Sequence, residues 1–280
     1  MASTLVNLPE VERLSPSVIR ILGGNPGKYT LQGTNTYLVG TGKGRILIDT
    51  AEGKPAWIAS LKRVLEQEHA TISKTIITHW HPDHVGGIKD VKSLFPSCPI
   101  HKNQPRQGEE NIEHDQVFET EGATLRAFHS PGHTTDHMAL ILDDEDAMFT
   151  GDNILGQGTA VFEDLKTYID SLEKMAKAFG GRAYPGHGPV LEDGKAKAKE
   201  YIKHRREREE QIVSVMKAQT GESGDGWRSM ELVKVIYKDY PEHLHGPAEG
   251  SLVQVLKKLE QEGRAMQSDG VWSLVAKERL

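Results

Sequence analysis

A short run of ligand-type side chains, Thr-His-Trp-His-Pro-Asp-His over residues 78–84, is the most chemically informative part of the sequence. Alternate residues of an extended chain point to the same side, so His79 and His81 can reach one ion together. Asp83 and His84 lie past the turn and can reach a second ion beside the first. Imidazole and carboxylate suit zinc, manganese or iron, and the run offers no thiolate. The run therefore predicts half of a site for two divalent metal ions.

Three later segments supply further ligand-type residues, each after a predicted strand and each beside a glycine. They are His133 in Pro-Gly-His-Thr, Asp152 in Thr-Gly-Asp and His187 in Pro-Gly-His-Gly. Glycine lets the backbone come close to a neighbouring group. With the first run, these residues give seven candidate ligands from four strand ends. That number suffices for two ions about 3.5–4 Å apart, with Asp152 as the bridge.

The segments that must position these residues read as strands alternating with helices, packed in layers around one core. Apolar and β-branched runs indicate the strands, and helical spacing of apolar residues indicates the helices. The predicted strands cover residues 18–22, 34–39, 45–49, 74–78, 99–102, 123–130, 139–142, 147–150 and 182–184, and the predicted helices cover 54–68, 165–179 and 195–217.

The chain after a glycine-rich break at residues 221–226 reads as a separate unit. Amphipathic spacing predicts two helices and then a two-strand ribbon, over residues 230–237, 251–262 and 263–274. Helices followed by a small hairpin indicate a winged-helix-like unit. We therefore predict a catalytic domain over residues 1–220 and a winged-helix-like domain over residues 227–280.

The bulk composition excludes some classes of protein. A formal net charge of -6 over 280 residues lacks the basic excess of a general nucleic-acid binder. Cys98 is the single cysteine, so a disulfide within the chain is excluded and a reducing compartment is favoured. Residues 1–10 lack the features of a secretory signal, and no apolar run approaches the ~20 residues that span a bilayer. We therefore expect a cytoplasmic protein with no membrane partner.

The four metal motifs together resemble those of the metallo-β-lactamase superfamily, over residues 18–190. The resemblance implies an α/β fold, an αββα sandwich with the metal ions at one edge of its two sheets. It also implies a role for each candidate ligand: His79, His81 and His133 on the first metal, Asp83, His84 and His187 on the second, and Asp152 as the bridge. Asp49 matches the acidic residue that closes an early strand and supports the ligands from behind.

A closer resemblance, to the lactamase-beta-2-like group, extends over almost the whole chain. It is carried by residues 25–37, 121–126, 158–164 and 204–205. That group includes an animal endoribonuclease and fungal thioesterases that release aromatic polyketides from an acyl carrier protein, and a winged-helix-like tail occurs in both. Two further segments, 48–55 and 102–105, are similar to the fungal thioesterases. Ala51 departs from the glycine expected there, and the loop with Tyr29, Thr30 and Gln32 is expected to border the cleft.

The metal motif alone does not select the substrate, because one activated water can cleave a thioester, a lactam or a phosphodiester. The first expectation is a thioesterase that releases a polyketide chain from an acyl carrier protein. The net negative charge of the chain favours it, as does the similarity of residues 48–55 and 102–105 to the fungal thioesterases. The alternative is an endoribonuclease acting on single-stranded RNA. The cations of residues 195–208 could line its phosphates, although an acidic carrier protein would suit them equally and a solvated helix face is the simplest interpretation. The third hypothesis is a metal- or DNA-binding module without catalytic activity.

Several single residues carry more specific expectations. Asp83 is expected to orient the nucleophile or relay its proton. His137, after the His133 loop, and His204, on the charged helix, are expected to contact substrate or support the site. Trp80 is expected to pack beneath the metal site, and Cys98 to be a buried small apolar residue. The C-terminal unit is expected to form a lid over the active site or a contact in a homodimer, because its second helix carries few cations.

Overall fold

The computed structural model describes residues 5–275 except 219, 222–223 and 225. The parts of the two predicted domains that fall on residues 1–4 and 276–280, and part of the glycine-rich break between them, lie outside the described residues.

The first sheet contains seven strands in the order β1 to β7. Strands β1 to β4 pair antiparallel, whereas β4 to β7 pair parallel. Their bounds are β1 Val11–Arg13, β2 Val18–Leu22, β3 Asn35–Val39, β4 Gly44–Ile48, β5 Thr71–Ile77, β6 Ile100–Lys102 and β7 Glu110–Asn111. Strands β2 and β3 are buried at every position, because this sheet is covered on both faces.

The second sheet contains five strands in the order β12-β11-β10-β9-β8. Only the β11–β12 pair is parallel. The strands are β8 Val117–Thr120, β9 Ala123–His129, β10 Met138–Leu142, β11 Ala147–Gly151 and β12 Ala183–Pro185. An apolar cluster with Tyr37 and Ile48 from the first sheet and Phe149 and Tyr184 from the second fills the space between them. The two sheets therefore form the inner layers of a sandwich.

Helices cover the outer face of each sheet. Helices α1 Pro55–Gln67 and α3 Ile88–Leu94 pack on the first sheet through Trp57 and Val91. Helices α4 Leu165–Ala178 and α5 Gly194–Ala218 cover the second sheet. The Asp164 carboxylate caps α4 by accepting the Thr167 N–H at 2.7 Å, an interaction worth about 1 kcal/mol. The αββα sandwich predicted from the sequence is confirmed.

The C-terminal unit is a winged helix. Its elements are α6 Ser229–Ile236, α7 His245–Gln261, β13 Ala265–Ser268 and β14 Val271–Leu274. Helix α7 begins six residues earlier than predicted. The sequence favours a later start because Gly246, Pro247 and Gly250 are typical of a break, which does not occur. Pro247 lies in the first helical turn, where its missing N–H has no partner to lose. Across the described residues, no helix is long and apolar enough to cross a bilayer.

The candidate metal centre

The first three candidate ligands face one point at the edge of the sandwich. The ring nitrogens His79 Nε2 and His81 Nδ1 lie 3.0 Å apart, and His133 Nε2 lies 3.2 Å and 3.1 Å from them. Nitrogen ligands at 2.0–2.1 Å from a tetrahedral zinc ion would lie about 3.3 Å from each other. The arrangement therefore fits a single cation between the three imidazoles.

A second group of three lies beside the first. His187 Nε2 is 3.2 Å from Asp83 Oδ2 and 3.4 Å from His84 Nε2, and His84 Nε2 is 3.4 Å from the same Asp83 oxygen. These spacings also match those of ligands around one metal ion. Each group, with Asp152 added to the first, could hold a metal ion.

Asp152 lies between the two groups. Its Oδ2 is 3.6 Å from His133 Nε2 and 3.3 Å from His187 Nε2, and its Oδ1 is 3.5 Å from His84 Nε2. Among the described residues, the buried Oδ1 has no hydrogen-bond donor. A buried carboxylate oxygen without a partner is costly, and a cation would supply the missing partner. This orphaned atom is the strongest local sign that the cluster is built for metal.

The elements explain how these residues meet. His79 and His81 follow β5, Asp152 follows β11 and His187 follows β12, so three strand ends lie at one edge of the sandwich. Pro82 begins α2, the single turn Pro82–Val85. This turn redirects the chain so that Asp83 and His84 face His187 and complete the second group. The side chains of residues 79, 84, 133 and 187 are buried, which holds the ligands in place.

Asp49 lies behind the second group. Its Oδ2 accepts a hydrogen bond from His84 Nδ1 at 2.8 Å, and its Oδ1 accepts the Thr78 N–H at 2.8 Å. A carboxylate on Nδ1 fixes the tautomer and orientation of a ligand imidazole, so that Nε2 is presented to the ion. Thr78 was not singled out in the sequence, although it stands in the motif. Its Oγ1 contacts both Asp49 and His79 Nδ1.

His137 supports Asp152 rather than contacting the cavity. Its Nε2 accepts the Asp152 backbone N–H at 3.1 Å, and its Nδ1 donates to Ser130 Oγ at 2.9 Å. Burial, together with the charge of neighbouring histidines, lowers the pKa of His137 well below its ordinary value. The ring is therefore neutral, which its acceptor role requires. Ser130 is a second contributor that sequence reasoning missed, and only its position two residues before Gly132-His133 pointed to it.

The cluster is electrostatically divided. Burial and the charge of His84 lower the pKa of His79 well below its ordinary value. Burial would also lower the pKa of His84, but the charges of Asp49 and Asp152 raise it instead. Burial opposes ionisation of Asp152, yet the charges of His187 and His84 hold its pKa well below the usual range. Asp152 is thus ionised, which is the form in which a carboxylate binds a metal ion.

Two glycines beside the ligands are required by close approach. A Cβ on Gly186 would lie 2.3 Å from Asp152 Oδ1 and 3.0 Å from His84 Cε1. A Cβ on Gly132, whose φ is +129°, would lie 2.3 Å from the Tyr168 Cα. Real side chains do not reach such distances. The predicted reason for glycine at these motifs, close approach of the backbone, is confirmed.

A cavity of about 420 Å³ lies over the cluster, within the range typical of small-molecule sites. His81, Asp83, His133, Asp152 and His187 contribute to its lining, so the candidate ligands form its floor. Its walls are mainly apolar, with Tyr29, Leu31, Leu155, Ala160 and Val161. Lys28 is the one lysine or arginine among the described residues that line it. The cavity favours an apolar group next to the metal centre.

Other expectations have mixed outcomes. The loop borders the cavity through Lys28, Tyr29 and Leu31, whereas Thr30 bonds the Asn25 backbone oxygen of the same loop and Gln32 bonds that of Val6. The expectation that Trp80 packs beneath the site is wrong: its side chain is 41% exposed and contacts the His81 ring from outside. Cys98 is buried, as predicted.

His204 is exposed and does not line the cavity over the cluster, among the residues that the structure describes. It lies instead at a neighbouring notch, which shares Thr159 with that cavity. The sequence placed His204 on the correct helix. It could not give the side of that helix, because the charged helix has little apolar periodicity.

Comparison with known proteins agrees with this geometry. Residues 29–187 match the family model of the metallo-beta-lactamase superfamily, and residues 229–272 match that of the beta-lactamase associated winged helix domain. The chain belongs to the metallo-β-lactamase superfamily. Membership of this superfamily supports the prediction that the protein is a hydrolase.

Fungal proteins are similar over most of the chain. The lactamase-like protein adaB of Aspergillus niger is 45% identical over 270 residues, which cover 93% of this chain and 85% of that protein. The lactamase-like protein nscB of Trichophyton equinum is 46% identical over 267 residues, covering 91% and 80%. A metallo-beta-lactamase family protein from Thermus thermophilus has the same fold, with a TM-score of 0.74 at 20% identity, covering 94% of this chain and 100% of that one.

Proposed function

We propose that this protein is a dinuclear metal-dependent thioesterase that releases a polyketide acyl chain from an acyl carrier protein. The observation that carries the proposal is the apolar wall of the cavity over the ligand cluster, with Tyr29, Leu31, Leu155, Ala160 and Val161. An aromatic acyl group would bury apolar surface there, which stabilises binding by roughly 25 cal/mol per Å². The resemblance to the fungal thioesterases supports the same choice.

Two ions, with zinc as the proposed metal, would be held by the two groups of ligands and bridged by Asp152. The histidine-rich donor set without thiolate fits zinc, and manganese or iron are the other ions that such donors accept. When bound, the two ions would lower the pKa of water toward neutrality and polarise the carbonyl of the substrate. The remaining steps belong to the chain's own residues.

Asp83 is the proposed catalytic residue. Its side chain is 23% exposed and lines the cavity, so it can contact the attacking water as well as the second ligand group. It would orient that water and accept its proton. The water oxygen bonds to the thioester carbon, the carbon–sulfur bond breaks, and the thiol leaves with a proton. One thioester and one water thus give one carboxylic acid and one thiol.

RNA cleavage is the second candidate, and the cations on α5 are the observation that favours it. A nucleic acid needs positive charge on the protein surface along which its phosphate backbone lies. The cations of α5 lie outside the metal cavity. Among the described residues that line the cavity, Lys28 is the one lysine or arginine. We therefore rank RNA below a thioester.

A module that reads DNA without catalysis has less support. A DNA-reading helix presents its cations to the groove. In α7, Lys258 instead forms ion pairs at 2.7 Å with Glu209 of α5 and with Glu262. The charge of Lys258 is thus used inside the protein, which leaves Lys257 as the other lysine of this helix.

The experiment that tests the function compares two substrates. The zinc-loaded protein is assayed on an aromatic acyl thioester of a carrier protein and on single-stranded RNA. We expect thioester hydrolysis, lost in His81→Ala, and no cleavage of RNA. RNA cleavage that His81→Ala abolishes, with no thioester hydrolysis, would reverse the ranking of the two functions.

Replacement of Asp83 tests its role separately. Asp83→Asn keeps the size of the side chain and an oxygen ligand but removes the base. We expect kcat to fall by about 10²–10⁴-fold, the usual range for loss of a general base, with metal content measured in parallel by elemental analysis. A fully loaded variant with near-normal turnover would remove Asp83 from the mechanism.

A further inference from the structure

Helices α4 and α5 form a groove on the outer face of the second sheet, with a volume of about 730 Å³. Ala176 and Ile202 lie in its floor. Its lining has five cations, Lys177, Lys195, Lys199, Lys203 and Arg206, and three carboxylates, Glu173, Glu207 and Glu210, so cations are in excess. The chain as a whole has a net charge of -6, so this basic groove is a local feature rather than the result of a basic composition.

Part of this charge is unpaired. Arg206 pairs with Glu173, and Lys203 is 3.7 Å from Glu207. Lys177, Lys195 and Lys199 are exposed and have no ion-pair partner among the described residues. Three unpaired ammonium groups along an apolar floor match a helix that carries carboxylates beside an apolar stripe. Such complementarity raises the rate of encounter and sets orientation.

A notch on α5 shares lining residues with both the basic groove and the cavity over the metal centre. It is lined by Thr159, Lys203, His204 and Glu207, together with Glu200 and Tyr201. The notch shares Lys203 and Glu207 with the groove and Thr159 with the metal cavity. A macromolecule seated on α4 and α5 could therefore extend a flexible arm past His204 to the ligand cluster.

We propose that the basic groove is the docking site for an acidic helix of the carrier protein, whose acyl arm passes the His204 notch to reach the metal centre. This inference rests on the proposed thioesterase function and adds the partner surface to it. It gives the exposed His204 a place along the path of the arm. It also separates recognition of the protein, on α4 and α5, from recognition of the acyl group, in the apolar cavity.

Charge reversal of the groove tests the proposal. The variant Lys177→Glu/Lys195→Glu/Lys199→Glu is compared with Lys43→Glu/Lys62→Glu/Lys89→Glu, which makes the same change in charge on the side of the first sheet. Each is assayed on a benzoyl thioester of the pantetheine arm of an acyl carrier protein and on benzoyl N-acetylcysteamine. We expect the groove variant to raise KM for the carrier thioester about tenfold or more at low salt. The small thioester should be hydrolysed as by the unmodified protein, which also shows that the variant is folded.

The possible failures are distinguishable. Wild-type protein that hydrolyses neither thioester overturns the proposed function and the docking site together. Hydrolysis of both, with the same KM for the carrier thioester in the groove variant, overturns the docking site alone. An equal loss in the control variant would assign the effect to overall charge and also overturn it. Loss of binding to a fluorescent single-stranded RNA in the groove variant, with unchanged carrier kinetics, would make the groove a nucleic-acid surface instead.

Discussion

Two buried side chains outside the ligand set, Asp49 and His137, control the direction in which ligand atoms point. Asp49 fixes the ring of His84 through Nδ1, and His137 fixes the backbone of Asp152 through its N–H. Neither residue lines the cavity, within the part of the chain that the structure describes. Their effect on chemistry is therefore through the metal ligands, and they are positioning residues.

Replacement of His137 should weaken metal binding more than it alters the fold. His137→Leu leaves the Asp152 N–H without an acceptor, and we expect metal affinity to fall about 10–100-fold, as for other supporting partners. The measurement is zinc titration against a competing chelator. His204→Ala, which changes an exposed histidine on α5, is the control and should bind zinc normally. Equal affinity in His137→Leu and the unmodified protein would contradict this role.

Ala51 shows how backbone strain accompanies a departure from the expected glycine. Its φ is +49°, in the left-handed region, and Asp49 two residues earlier has a φ of +58°. A left-handed conformation costs a residue with a Cβ about 1–2 kcal/mol, which explains why glycine is favoured at residue 51. The Ala51 methyl group is buried in the same apolar cluster as Trp57, and this burial offsets part of the cost.

At the scale of secondary structure, a buried ion pair ties the first sheet to the His133 loop. Lys102, at the end of β6, donates to Asp136, and both side chains are almost fully buried. Asp136 also accepts from Thr134 Oγ1 at 2.7 Å, so the pair holds the backbone that follows His133. The position of one metal ligand thus depends on contact between a strand of the first sheet and the loop that joins β9 to β10.

A double-mutant cycle should reveal the asymmetry of this pair. Lys102→Met leaves the Asp136 carboxylate buried without its partner, and we expect a loss of about 3–5 kcal/mol in the free energy of unfolding. Lys102→Met/Asp136→Leu removes both charges and should be less destabilised than the single variant. Urea unfolding of the unmodified protein, of Lys102→Met, of Asp136→Leu and of the double variant gives the comparison. A double variant that is as unstable as the sum of the singles would show that the two charges do not interact.

Many of the elements could be predicted from the sequence, including the three-residue strands β6 and β12, whereas other short elements could not. Helix α4 and strand β2 lie within one residue of the prediction, because apolar spacing governs both. Strand β8 and the single turn α2 were missed, since four residues carry too little periodicity. Contacts between distant residues, such as that of Asp49 with His84, also could not be predicted from spacing. The ligands themselves could be named because their types cluster in motifs.

At the scale of the whole molecule, the winged helix packs against the catalytic layers. The buried Glu209 of α5 accepts from Lys258 of α7 and from Arg264 at the start of the hairpin. The first half of α7 lines a cavity with residues 159–162, the loop that also borders the metal cavity. Helix α7 is therefore next to the loop of residues 159–162, where a lid over the metal cavity would have to lie. Its role as a lid stays a prediction.

Metal binding should stabilise the molecule as a whole, because the ligands come from four separated segments that unfolding would disperse. At a free zinc concentration 100 times Kd, binding to the native state adds about 2.7 kcal/mol to its stability. For a chain of this size we expect Tm to rise by about 5–10 °C, measured by circular dichroism with and without a chelator. His204→Ala should show the same rise, whereas His81→Ala, which removes a ligand of the first group, should show a smaller one. A rise of equal size in His81→Ala would mean that zinc binds elsewhere, and it would remove the ligand assignment on which the proposed chemistry depends.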